Sequence, residues 1–113
     1  MKEFALLFRH VGDFEALPES EKTLVEKKWQ DWIGSIAAQG KLKGDKGIRL
    51  ASGGKVLKPA GVVTDGPFVE IRECLGGLIV VKADTLEEAV TLAHGCPAME
   101  RGGSVEVRPI MIQ

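Results

Sequence analysis

Leu78-Ile79-Val80-Val81 and, three residues on, Asp84-Thr85-Leu86-Glu87-Glu88-Ala89 form the stretch on which the fold turns. Four consecutive apolar residues fit a buried strand and fall far short of a membrane span. Asp84 with Glu87 three positions later predicts a helix start built as a capping box, with Asp in place of the usual Ser or Thr. Leu86, Ala89, Val90 and Ala93 predict its buried stripe. His94-Gly95 predicts its end, because the proline of Cys96-Pro97 lacks the backbone donor needed to prolong it.

On the N-terminal side, Glu3-Phe-Ala-Leu-Leu-Phe-Arg9 is almost continuously apolar, which predicts a central strand covered on both faces, with His10 at its end. Beyond the polar connection Val11 to Pro18, the three- and four-residue spacing of Val25, Trp29, Trp32, Ile33, Ile36 and Ala37 predicts an amphipathic helix. Ser20 is placed to cap it, Glu19 and Glu21 suit its positive end, and Gly40 supplies a left-handed stop. Glu26, Lys27 and Asp31 mark its solvated face. The glycine-rich middle reads as a hairpin of Gly47 to Leu50 and Lys55 to Leu57 turning at Ser52-Gly53-Gly54, then an extended Val62-Val63-Thr64. A last strand is expected over Ser104 to Ile112, at a sheet edge or with a bulge, because Pro109 removes a ladder hydrogen bond. The order β-α-β(β)-β-α-β predicts an α+β, ferredoxin-like split βαβ fold with an inserted hairpin, as a single domain over residues 1–113.

Composition narrows the function classes. At 113 residues, 44% hydrophobic and 27% charged, the chain has enough apolar content for a core and is not of disordered composition. Fifteen Lys plus Arg against 16 Asp plus Glu give a formal net charge of −1, and Lys41, Lys43 and Lys46 are too sparse to bind phosphate backbones, so no nucleic-acid role is expected. No apolar stretch suits a membrane, and Met1-Lys2-Glu3 lacks the layout of a signal peptide, so a cytoplasmic location is expected. The two cysteines, Cys74 and Cys96, lack CxxC spacing and read as reduced thiols, Cys74 as a small core residue. His94 and Cys96 alone do not make a metal site, and neither metal nor cofactor is expected.

Val63-Thr64-Asp65-Gly66-Pro67-Phe68-Val69-Glu70, taken with Cys96-Pro97-Ala98 and Gly103-Ser104-Val105-Glu106-Val107-Arg108-Pro109, resembles the signatures of DGPF-domain proteins in the YCII-related superfamily. Glu73-Cys74-Leu75-Gly76-Gly77 and the Asp84-to-Ala89 helix start fit the same pattern in the same order. The resemblance implies a ferredoxin-like subunit that pairs with a second copy into a dimeric α+β barrel. It also implies kinship with enzymes that act on small, often ring-derived molecules through a His-Asp pair, and with proteins associated with alternative sigma factors. The family's dyad does not carry over: the first helix contains no histidine, and Cys96 stands before Pro97 where those enzymes have an aspartate.

An acid-base site must therefore be rebuilt from other residues. Asp65 reads either as a turn former bonding its own backbone or as a general base in a low-dielectric cleft. Histidine ordinarily titrates near neutral pH, so His10 reads either as a solvent-facing loop residue or as the partner acid. Arg9 reads as a planar clamp for a substrate carboxylate or as the ion-pair partner of Asp13. Glu70, with Arg72 and Glu73, lines a polar pocket or forms an ion-paired face, and Phe68 is core or the apolar wall of the substrate site. Trp29 and Trp32 read as core or dimer packing, with ring stacking on a ligand as the alternative. The expectation is a cofactor-free homodimer that performs proton transfer, isomerisation or elimination on a small organic acid or ring metabolite, with a non-catalytic ligand-binding or transcription-linked module as the alternative.

Overall fold

Alternating burial sets the first strand, β1 (Lys2–His10): Phe4, Leu6 and Phe8 are buried, while Ala5, Leu7 and Arg9 between them are half-buried on the opposite face. The computed structural model describes residues 1–10, 16–44, 46–51, 53–66 and 74–111. Helix α1 (Glu19–Ala38) follows, then β2 (Ile48–Arg49), β3 (Gly54–Lys58), β4 (Val62–Gly66), β5 (Cys74–Ala83), helix α2 (Leu86–Ala93) and β6 (Ser104–Pro109). The main sheet has the order β2-β5-β1-β6 with every neighbouring pair antiparallel. The strands flanking α1 are thus separated by β5, and those flanking α2 by β1. Two βαβ units interleave, which is the ferredoxin-like split arrangement.

The core lies between the helices and one face of this sheet. Phe4, Leu6 and Phe8 meet Ile79, Val81 and Ala83 of β5, Trp32 and Ile36 of α1, and Ala89, Leu92 and Ala93 of α2. Trp32 also ties the helices together, its Nε1 donating to the Leu92 carbonyl at 3.3 Å, so its one polar atom is satisfied inside the core. On the other face Ala5 stands opposite Val80 and Leu7 opposite Leu78, all half-buried. Among the described residues, the expected cover on both faces of β1 is thus present on one face only.

Local rules decided other details differently from the sequence reading. The hairpin is present, but it pairs β3 with β4 through Pro59–Gly61, whereas β2 joins the main sheet beside β5. Hydrogen bonding explains the change: Leu78 and Gly77 offer β2 a strand edge that a free hairpin would not. Ser20 lies inside the first turn of α1; Pro18 is the cap residue, its carbonyl accepting from Glu21 and Lys22. Gly40 adopts the expected left-handed conformation with φ of 73°. At α2 the cap shifts by one residue: Thr85 accepts from the Glu88 N–H, and the Glu88 carboxylate accepts from the Asp84 N–H. Packing against the sheet buries Ala89, Leu92 and Ala93, while Leu86 and Val90 of the expected stripe are exposed. Pro109 ends β6 at the sheet edge, as expected.

Candidate functional site

A cavity of about 630 Å³ opens between residues 25–33 of α1 and the sheet, bounded by β2, the glycines of β5 and the 3-10 turn Pro97–Arg101. That volume suits a small molecule. Its wall is apolar and aromatic, from Phe8, Val25, Trp29 and Ile33. Trp29 stands edge-on to Phe8 with ring centroids 4.7 Å apart and edge-on to Trp32 at 5.8 Å, so packing behind it fixes its plane. The amphipathic spacing that reads as core therefore also builds a cavity wall, with Trp32 on the buried side and Trp29 half-buried.

His10 lines this cavity, and a single glycine makes room for it. The β1–β5 register slips between Phe8, opposite Gly77, and Arg9, opposite Leu75, leaving Gly76 as the extra residue of a bulge. A Cβ on Gly76 would sit 2.6 Å from His10 Cδ2 and 3.2 Å from Nε2, so the imidazole occupies space that any other residue would fill. Arg9 also lines the cavity, but its guanidinium bonds Glu106 at 3.2 Å, and Asp13 lies outside the described residues.

Asp65 is elsewhere. It belongs to β4, opposite Lys55, whose ammonium its exposed carboxylate binds, and it does not line the cavity. Phe68 and Glu70, with Arg72 and Glu73, lie outside the described residues. Among the described residues the carboxylate that lines the cavity is Glu26, paired with Arg49 of β2 at 3.2 Å. Arg49 and Arg101, both at the cavity, were not legible as site residues, because no motif marks a charge that tertiary packing alone brings to a cleft.

Cys96 is buried beside the cavity-lining Pro97, and burial pushes its thiol up to about 11 against a weaker opposing hydrogen bond from the Ala98 backbone. It is a protonated, inert packing group at neutral pH. The side chain of Cys74 lies outside the described part. Among the described residues no three His, Cys, Asp or Glu side chains gather for a metal ion, and no helix is long and apolar enough to cross a membrane. A family model described as the YCII-related domain matches residues 34–112, a span from the last turn of α1 through β6. No curated protein matches the sequence.

Proposed function

The chain belongs to the YCII-related domain family, and from that premise we propose that it binds a small organic acid or ring compound in the cleft beneath α1, where His10 moves a proton on it without a resident cofactor. The observation that carries this reading is the placement of an imidazole and a fixed aromatic wall in one concavity of small-molecule size. A neutral imidazole removes a proton from an acidic C–H or O–H and returns it to another atom of the same molecule, which is an isomerisation, or leaves it with an expelled group, which is an elimination. This reading assigns no role to Asp65, whose carboxylate pairs with Lys55 on the hairpin.

That same placement of Asp65 favours a second reading, a ligand-binding module without catalysis, because the expected second member of an acid-base pair is not at the cavity. In either case the working form proposed is a homodimer. A second copy would cover the half-buried Ala5, Leu7, Leu78 and Val80, and the surrounding Glu3, Lys82, Glu106 and Arg108 carry both signs of charge, which is compatible with a self-complementary two-fold interface.

The test begins with a ¹⁵N-resolved NMR screen of small carboxylates and ring compounds, followed by ¹H NMR of each bound compound for turnover. Bound compounds are expected to shift the Trp29 indole signal, His10→Gln to lose turnover, and Asp65→Asn to retain it. Turnover that survives His10→Gln rejects the proton-transfer role. Compounds that bind while leaving Trp29 unmoved reject the cleft.

A further inference from the structure

We propose that Arg101 is the anion-selecting residue of the cleft, so that the preferred ligand is a flat, largely apolar monoanion. The inference rests on the cleft reading above and adds the charge of the ligand to it. Three guanidinium groups belong to residues lining the cavity, and two are already matched: Arg9 by Glu106 at 3.2 Å and Arg49 by Glu26 at 3.2 Å. Arg101 has no acidic partner among the described residues. Its neighbour Glu100 is turned to Lys28 of α1, 3.1 Å away, and is not available to neutralise it.

The backbone beneath Arg101 is well anchored. Pro97 and Ala98 are buried, Gly102 closes the turn with φ of 79°, and the Gly103 N–H donates to the Ala98 carbonyl at 3.0 Å. The side chain therefore starts from an anchored backbone, and Arg101 lines the same cavity as Phe8 and Trp29. One unmatched cation beside a flat apolar wall is complementary to one carboxylate on a planar skeleton. A neutral ligand would gain only the wall, and a cationic one would meet repulsion.

The test compares 2-naphthoate with its uncharged isostere 2-naphthamide on the full chain. The chain has two tryptophans, so the indole region of a ¹⁵N-resolved spectrum holds two signals: Trp29 at the cavity, and Trp32, whose N–H is committed to Leu92, as the internal reference. The carboxylate is expected to bind about fivefold or more tightly than the amide. Arg101→Gln should erase that preference while leaving the amide affinity unchanged, and Lys58→Gln, a charge removed from strand β3 of the hairpin, which does not line the cavity, should preserve it. Equal binding of the two probes to the unaltered chain, or a preference that persists in Arg101→Gln, overturns the role of Arg101 and leaves the cleft standing. If neither probe moves the Trp29 signal, the cleft reading falls with it.

Discussion

A missing Cβ shapes the candidate site as much as any functional group does. Gly76 supplies the bulge of β5 and the empty space that His10 fills. Gly76→Ala is therefore expected to displace the His10 ring resonances and weaken ligand binding at the cleft while far-UV circular dichroism stays native; unmoved His10 resonances would mean that the imidazole does not depend on this vacancy. His10 was legible as a candidate because a titratable residue ends a strand, but its neighbours were not, since the bulge that seats it appears only when β1 and β5 pair. Asp65 shows the reverse. Its place ahead of Gly66-Pro67 draws the eye as a site residue, yet the pairing of Lys55 with Asp65 across the hairpin turns its carboxylate to a lysine instead. Arg101 had no local signal at all, and only its place beside an aromatic cleft distinguishes it.

At the scale of single elements, capping sets where α2 begins. Thr85 and Glu88 share the cap, and the hydrogen bond from Lys41, aided by the Asp84 N–H, holds the Glu88 carboxyl below its ordinary range. A lowered folded-state pKa means that the contribution of Glu88 is present above the unfolded carboxylate range and is lost as pH falls through the folded value. Urea midpoints of the unaltered chain and of Glu88→Gln should therefore lie apart at neutral pH and converge in acid; parallel curves down to low pH would show that the Lys41 contact contributes nothing measurable. The existence of α2 was readable from the capping pattern, but its cap was not, because Asp84 and Thr85 are both competent caps, and neither was the exposure of Leu86 and Val90, which is set by packing against the sheet. Strand pairing was under-determined in the same way. Three short extended segments lay within reach of one another, and the choice between a β2–β3 and a β3–β4 hairpin was made by the edge of β5, a partner distant in the chain.

At the scale of the whole molecule, the unfinished feature is the second face of the sheet. Leu7 lies at its centre, opposite Leu78 and pointing away from the helices, so Leu7→Glu is expected to leave the core intact while converting the proposed dimer to a monomer in sedimentation velocity. An unaltered chain that sediments as a monomer at every concentration would remove the proposed pairing. The sequence by itself determined the element order, both helices, the edge position of Pro109 and the membership signalled across β5, α2 and β6. Each of these follows from interactions between near neighbours, such as periodicity, caps and a proline without a donor. Only the tertiary structure decided the hairpin partner, the buried face of α2, the pairing of Asp65 with Lys55 and the gathering of His10, Trp29 and Arg101 around the cleft. Those outcomes depend on which strand edge, glycine vacancy or opposite charge a residue meets from far along the chain, and that is settled only when the sheet assembles.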